Sequence, residues 1–288
     1  KLGSNGYLYS KPIAVGKSTE GRPPHFFDWA PDSQSESGTA DHKVVDWAAG
    51  ELRKPHKHPF FHAVGIFRPH IPWYAPKKYF ALYPKKNVFL PKIKENDLED
   101  VPKHGQYGIR KQWHEWILKN DEWRDAVRGY LASISFADAQ VGRLLDALDA
   151  GPHSKKTIIV LWSGHGMHIG EKQQWEKFTL FEESTRVPLM IVAPGITKAG
   201  TVCDQPVNLL DVYPTLNELC GLPKRNDLDG VSLVPLLKYP KAKWERPSIT
   251  TWGKGNHAAR GLRYRYIRHP NAERPSDSPN HAETGTAR

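Results

Sequence analysis

Two apolar segments, each followed by a histidine-bearing loop, constrain the fold of this chain more than any other feature. The first covers 59–67 and leads to His70, and the second covers 157–162 and leads to His165. Apolar runs of this length, rich in branched and aromatic residues, predict strands buried on both faces of a parallel sheet. Because ligands bind beyond the carboxyl ends of such strands, we expect both histidines to lie where chemistry takes place.

Segments with helical spacing of apolar residues alternate with the strands, as an α/β fold requires. A third buried strand is predicted at 188–193. We expect it to neighbour 157–162 in one parallel sheet that also contains 59–67. The predicted helices cover 43–52, 123–150 and 209–222.

The chain divides into three predicted regions. Residues 1–237 form the main α/β domain, and 238–270 begin a small subdomain with short antiparallel strands at 248–252 and 263–267. Residues 271–288 are polar and are predicted to be a disordered tail.

Two further stretches are predicted to be irregular. Residues 1–42 are rich in Gly, Pro and Ser and indicate an extended loop, and 71–122 carry many prolines and lysines. A long irregular stretch in a compact domain is often functional.

The charge balance favours an anionic partner. The chain has 288 residues, with 41 Lys and Arg against 31 Asp and Glu. These residues are spread along the chain without a nucleic-acid-binding motif, so a sulfated or otherwise acidic small substrate fits better than nucleic acid. A plain solvated surface remains the alternative. The sequence has no apolar run of about 18 residues, so we expect no membrane span.

The two cysteines, Cys203 and Cys220, lack the spacing of a metal site. They either pair in an oxidising compartment or are buried free thiols. The apolar helical pattern around Cys220 favours buried thiols.

Several separated motifs, in the same order along the chain, resemble those of the sulfatase family, and the iduronate-2-sulfatase-like branch is the most similar. The resemblance extends over roughly 43–268. The matching motifs lie at 63–73, 76–80, 161–171, 175–178, 182–189, 210–216 and 255–258.

The resemblance implies a fold and a chemistry. The fold is that of alkaline phosphatase, a mostly parallel sheet flanked by helices with a small antiparallel C-terminal subdomain. The activity is hydrolysis of sulfate esters of small molecules or glycans. The cofactors are a divalent cation, usually calcium, and a formylglycine nucleophile made from Cys or Ser. The compartment is periplasmic, secreted or lysosome-like, although the sequence opens at a lysine without a signal peptide.

The resemblance also implies roles for individual residues. His70 contacts the sulfate or the leaving-group oxygen, and Lys177 neutralises sulfate charge, so these two are the catalytic candidates. His165 lies in the metal-binding loop. Arg68 and His257 are the substrate-binding candidates, with a plain loop role left open for His257. We expect the functional atoms of His70, His165 and Lys177 within about 10 Å of one another.

Each of these residues also has a purely structural interpretation. His70 sits between two prolines, and the loop histidines His165 and His168 can be satisfied by backbone groups. Lys177 lies between aromatic residues and can simply rest on them. Arg186 is interpreted as structural, holding the turn before the third strand.

Two departures from the family pattern bear on activity. Gly164 stands where the metal loop has Asp, and glycine offers no ligand to a cation that takes six to eight oxygens. The nucleophile motif, Cys or Ser with Pro two and Arg four residues on, is missing. The nearest attempt is Ser10 with Pro12, but Ala14 replaces the arginine. The paired aspartates of the metal site are missing too, which suggests that the chain is truncated at its amino end.

Three hypotheses therefore stay open. The first is a sulfatase whose competence as this chain alone is doubtful. The second is a non-catalytic relative that binds sulfated ligands, or an inactive fragment. The third is a phosphate-ester hydrolase of the same superfamily, which would need a further metal site.

Overall fold

The computed structural model describes residues 23–24, 26–106 and 108–269. Residues 1–22 of the loop predicted at 1–42, and the tail predicted at 271–288, lie outside the described residues. The chain divides into two compact units that interleave along the sequence. The first unit comprises Lys1–Lys94, Arg110–Thr157 and Ile169–Trp175. The second unit comprises Glu95–Ile109, Ile158–His168 and Glu176–Arg288. The predicted division after residue 237 stays a prediction.

The first unit is mainly helical and confirms two of the predicted helices, at 43–52 and 123–150. Its strands are β1 (Trp29–Asp32) and β2 (Trp73–Pro76). Its helices are α1 (Ala40–Leu52), α2 (Lys77–Ala81), α3 (Lys111–Lys119) and α4 (Trp123–Asp149). Short 3-10 turns lie at Glu36–Gly38, Lys85–Asn87, Ser154–Lys156 and Glu171–Gln173.

Helix α4 is the centre of this unit because its apolar stripe packs on the β1–β2 pair. The two strands run parallel, with Trp29 opposite Trp73. Gly129 of α4 faces this tryptophan pair, and a Cβ there would come within 2.6 Å of the Trp29 Cβ. Glycine therefore permits the close approach of helix and strands. Further along α4, Phe136 packs against Tyr79 and other buried residues of the first unit.

The segment at 59–67, predicted as a buried strand, forms no strand, so that prediction is wrong. Its residues alternate between exposed and half-buried, as in an extended chain, and Phe61 is 80% exposed. A strand is defined by hydrogen bonds to a neighbour. An apolar run alone does not specify that neighbour. The parts of 1–42 and 71–122 predicted as irregular instead contribute β1, β2, α2 and α3.

The second unit contains small sheets joined by short helices. Its strands are β3 (Ile159–Trp162), β6 (Leu189–Val192), β7 (Ser248–Thr251), β8 (His257–Arg260) and β9 (Arg265–Arg268). Its helices are α5 (Glu182–Thr185), α6 (Val212–Leu219) and α7 (Val234–Lys238). Two-residue strands β4 (His168–Ile169) and β5 (Trp175–Glu176) pair with each other. Further 3-10 turns lie at Lys103–Gln106 and Leu209–Asp211.

Strands β3 and β6 are neighbours, as predicted, but they run antiparallel, with Ile159 opposite Val192. A parallel connection needs a crossover of about a dozen residues, usually a helix. The connection at 163–188 is long enough for a crossover but contains no long helix; it holds the β4–β5 ladder, the 3-10 turn Glu171–Gln173 and the four-residue helix α5. The prediction of burial on both faces is also wrong, because Trp162 and Met190 are about half exposed.

The antiparallel strands predicted near the carboxyl end are confirmed as β7 and β9. The sequence pattern missed the strand between them, β8, which pairs with both. The predicted helix at 209–222 is shorter than expected and consists of a 3-10 turn followed by α6. Helices combined with sheets throughout the described residues confirm the predicted α/β class.

The cysteine prediction is half correct. Cys203 and Cys220 are both free thiols, but both are exposed rather than buried. Helix α6 ends at Leu219, so Cys220 follows the helix instead of lying on its packed side. Among the helices in the described part of the chain, none has the length and apolar character needed to cross a bilayer.

Candidate active site

Arg68 and His70 lie together in a loop of the first unit that is anchored by a buried carboxylate. Asp41, in the first turn of α1, accepts hydrogen bonds from the backbone N–H of Phe67 at 2.8 Å and of Arg68 at 3.1 Å. The buried Arg68 guanidinium donates to the carbonyl of His70 at 2.8 Å. The Asp41 carboxylate and the Arg68 guanidinium therefore both fix the backbone of the loop that carries the His70 ring.

The His70 ring is oriented by its own neighbours. Its Nδ1–H donates to the carbonyl of Ile71 at 2.6 Å, and its ring centroid lies 4.7 Å from that of Phe67. Because the proton on Nδ1 is committed to a carbonyl, proton exchange by the neutral ring falls to Nε2. This is the geometry expected of a general acid or base.

His165 lies in a tight loop of the second unit, beyond the end of β3. Its Nδ1–H donates to the Gly166 carbonyl at 2.8 Å, and the Ser163 hydroxyl donates to the His165 carbonyl at 2.8 Å. Gly166 donates its N–H to Ser184 of α5. A Cβ on Gly166 would collide with the backbone of Glu183, so glycine is required for this loop to pack against α5.

Lys177 is electrostatically coupled to His165. Burial lowers the pKa of His165 below 6.5, and the positive charge of Lys177 lowers it further, against the opposing hydrogen bond to Gly166. The Lys177 ammonium also lies 5.2 Å from the ring centroid of Phe178. Two of the predicted site residues in the second unit therefore interact electrostatically, and the interaction disfavours protonation of the imidazole.

A hydrogen-bonded chain that the sequence did not indicate holds the backbone at Lys177. Fully buried His168 contacts the Thr179 hydroxyl at 2.9 Å, and Thr179 contacts the Ser184 hydroxyl at 2.9 Å. Ser184 donates to the Lys177 carbonyl. Each hydroxyl has one proton, so Thr179 donates to Ser184 and His168 donates through Nε2. His168 therefore acts in the packing of this loop, as its structural interpretation requires.

His257 lies on β8, where its Nδ1 is 2.9 Å from the hydroxyl of Thr251 on β7. The same sheet is tied to α5, because Arg260 and Arg265 both bond to Glu182, at 3.1 and 2.5 Å. Burial raises the pKa of Glu182, but the hydrogen bonds and charges of the two arginines outweigh it and hold the pKa below 4.5. The sheet that carries His257 is thus fixed to the helix that supports the His165 loop.

The predicted site residues therefore fall into two groups. Arg68 and His70 lie in the first unit, and His165, Lys177 and His257 lie in the second. Sequence reasoning missed the supporting residues Asp41, Gly166, Thr179 and Ser184. Two of these lay inside motifs that had already been noted. Their role depends on which backbone atoms they meet, and a motif does not carry that information.

Solved structures identify the fold of the chain. A phosphonate monoester hydrolase from Silicibacter pomeroyi superposes with a TM-score of 0.69 at 19% identity, covering 84% of this chain and 56% of that one. The structure of BT4656 in complex with its substrate D-glucosamine-2-N,6-O-disulfate gives a TM-score of 0.65 at 20% identity, covering 82% and 62%. The fold is the alkaline-phosphatase-like fold, as predicted.

Sequence comparison then identifies the family. The sulfatase family model matches residues 8–222, and the chain belongs to the sulfatase family. It is 39% identical over 248 residues to a sulfatase of Formosa agariphila, covering 84% of this chain and 48% of the relative. It is 35% identical over 199 residues to human iduronate 2-sulfatase, covering 65% and 36%. It is 34% identical over 185 residues to the choline-sulfatase of Rhizobium meliloti, covering 63% and 36%. The chain thus spans half or less of the length of these relatives.

The family hydrolyses sulfate esters and generally uses a formylglycine and a divalent cation, but the described residues do not fit a cation. Nowhere in the described part do three or more His, Cys, Asp or Glu side chains converge so that they could hold a metal ion. Gly164, which precedes His165, contributes no side-chain donor. The donor set seen here is therefore a single imidazole, which is too little for a cation that prefers oxygen.

Proposed function

We propose that the protein represented by this chain hydrolyses sulfate esters of sulfated glycans. Membership of the sulfatase family supports the reaction class. The names of the related iduronate 2-sulfatases and the formal net charge of +10 support an acidic sugar as substrate. For the compartment we propose a periplasmic, secreted or lysosome-like location, as the family resemblance implies.

The observation that carries this proposal is the electrostatic coupling of His165 and Lys177. An ammonium whose charge reaches an imidazole of lowered pKa is suited to a negatively charged group such as a sulfate ester. Lys177 is proposed to neutralise the sulfate oxygens, whose charge changes as the ester bond breaks. The family's cation, for which we propose calcium, would lie beside His165. No step is assigned to it because its ligand set is incomplete here.

The remaining roles concern the leaving group and the substrate. As the S–O bond of the ester breaks, negative charge develops on the ester oxygen. A His70 ring that carries a second proton, on Nε2, would donate that proton to the oxygen and become neutral. Arg68 is proposed to bind on the substrate side while its guanidinium also holds the His70 loop. His257 is proposed as a further substrate contact.

A second candidate function is binding of sulfated ligands without cleavage. Gly164 favours it, together with the lack of a metal-binding group among the described residues. Lys177, His70 and Arg68 would then bind the sulfate but would not break the bond. A sulfatase and a non-catalytic sulfate-binding protein would bind the sulfate through the same residues. Binding therefore has to be measured separately from turnover to distinguish them.

The experiment is calorimetric titration of the full chain with 4-nitrophenyl sulfate and 4-nitrophenyl phosphate. We expect the sulfate ester to bind, and the Lys177→Gln variant to weaken binding about tenfold, because a charge-assisted contact is lost. Lys198→Gln removes an exposed charge elsewhere in the second unit, whereas Lys177 is half-buried, and it serves as the control for loss of one positive charge. Unchanged affinity in Lys177→Gln, or tighter binding of the phosphate ester, would contradict the proposal.

A further inference from the structure

A basic surface patch is assembled in the first unit from two segments far apart in sequence, 53–62 and 151–156. The backbone N–H of His56 donates to Nε2 of His153 at 3.2 Å, and the two rings lie 5.3 Å apart. The Phe60 ring packs against both, at 4.8 and 5.3 Å. Gly151 lets the second segment approach, because a Cβ there would lie 2.7 Å from the Leu52 carbonyl. The two segments are therefore held together as one surface.

The exposed cations of this patch are not neutralised by neighbours. They are Arg53, Lys57, Lys155 and Lys156. Within the described residues none of these four has an acidic side chain at ion-pair distance. Glu51 is committed to Lys54, with Nζ and Oε1 2.5 Å apart. The other acidic residue that adjoins the segments in sequence is Asp149, at the end of α4. Cations therefore outnumber carboxylates here.

The patch is suited to an extended anion. Its charges lie on two exposed segments rather than in a cavity, so they match a chain of regularly placed anions better than a single small one. Phe61, between the basic and histidine residues, is 80% exposed and offers a flat apolar surface to a sugar ring. All five predicted site residues lie outside the two segments.

We propose that this patch, Arg53, Lys57, His58, Phe61, Lys155 and Lys156, binds a stretch of a sulfated polysaccharide outside the predicted site. The inference rests on the proposed function, because an enzyme that removes one sulfate at a time from a polyanion gains from a second contact with the same chain. Binding is electrostatic and so weakens with salt. Nucleic acid shares the negative charge but is not the proposed partner.

The test measures binding of fluorescent dextran sulfate oligosaccharides to the full chain by anisotropy, without any turnover. We expect the triple variant Lys57→Gln, Lys155→Gln, Lys156→Gln to bind about tenfold more weakly, equivalent to about 1.4 kcal/mol. The arginine variants at the same three positions should bind as the unmodified chain does. Thermal unfolding checks that each variant is folded.

The matched control is the triple variant Lys86→Gln, Lys92→Gln, Lys119→Gln, which removes three exposed charges elsewhere in the first unit. It should lose less than about twofold. An equal loss in both triple variants would overturn the proposal, since net charge alone would then explain binding. So would equal or tighter binding of a single-stranded oligonucleotide of matched charge. If the patch variant loses oligosaccharide binding but 4-nitrophenyl sulfate binding is absent in every form, the proposed function fails while the patch stands.

Discussion

At His165 the sequence predicts a functional residue and the structure supplies its hydrogen bond and electrostatic surroundings. The apolar run before it predicted a functional histidine at the end of a strand. The structure adds a fixed tautomer and an ammonium, that of Lys177, whose charge lowers the pKa of the ring. A neutral imidazole next to Lys177 retains a nitrogen lone pair at neutral pH, which a protonated ring would not. The ability of His165 to accept a proton or bind a cation therefore depends on its ring staying neutral.

Replacing Lys177 by Gln should raise the pKa of His165. Burial still lowers that pKa, but the positive charge that lowers it further is gone. NMR titration of the His165 ring resonances measures the change. The Lys198→Gln variant should leave the resonances unchanged, and an unaltered His165 titration in Lys177→Gln would contradict the coupling.

The same shift has a consequence for stability. A histidine with a lowered folded pKa binds fewer protons folded than unfolded between the two pKa values. The free energy of unfolding should therefore rise as pH rises through the window just below 6.5, and Lys177→Gln should reduce that rise. Denaturant unfolding at several pH values tests this expectation, and a pH dependence identical in the two proteins would argue against it.

Gly164→Asp should be tolerated and should improve cation binding only modestly. A Cβ at Gly164 would have no heavy atom within 4 Å, so the side chain fits without displacement. A single added carboxylate leaves most of the oxygen ligands missing. We expect no rise in Tm with millimolar calcium for the unmodified chain and a rise of about 2 °C for the variant. Gly164→Ala is the control, and a clear calcium response of the unmodified chain would contradict the expectation.

At the scale of elements, periodicity predicted the long features and missed the short ones. Helix α4 was predictable because its apolar stripe repeats over many turns. Helix α3 has the same kind of stripe, with Trp113, Trp116 and Ile117 buried, but its nine residues lie among prolines and lysines that indicate a loop. The direction of β6 relative to β3 could not be read from either strand, because pairing depends on the connection between them.

Asp211 shows how one buried side chain links several elements of the second unit. It is fully buried and accepts hydrogen bonds from the backbone N–H of Asn208 and of Val231, both at 2.9 Å. Asn208 in turn accepts from Ile249 of β7 at 2.6 Å. The sequence motif at 210–216 contained Asp211, but the distant partners were not visible in it.

Asp211→Asn should destabilise the chain by about 2–4 kcal/mol, because the new amide places donors against backbone donors and leaves them unsatisfied. Denaturant unfolding followed by circular dichroism measures the loss. Asp204→Asn, an exposed change in the same unit, should cost less than about 0.5 kcal/mol. A loss below about 1 kcal/mol in Asp211→Asn would show that the hydrogen bonds around Asp211 are not central to this unit.

At the scale of the whole molecule, the chain belongs to the sulfatase family but spans half or less of the relatives it matches. Sequence analysis predicted the family and several site residues but found no complete set of catalytic groups in the given sequence. The segment at 59–67 forms no strand, and β3 and β6 are half exposed, so the described residues form small separate sheets. The activity expected of this chain alone therefore depends on which catalytic groups its own sequence contains.

The purified 288-residue chain should show no turnover of aryl sulfates. Neither Cys203 nor Cys220 has a proline two residues on, and no serine combines that proline with an arginine four residues on, so no residue matches the formylglycine motif. Without an activated nucleophile, the roles proposed for His70 and for Lys177 leave most of the barrier in place. Release of 4-nitrophenol from 4-nitrophenyl sulfate, calibrated with an active sulfatase, is the measurement, and the expected rate equals that of buffer. Turnover above that background which disappears in His70→Ala would contradict the expectation and would mean that a nucleophile outside the family motif operates in this chain.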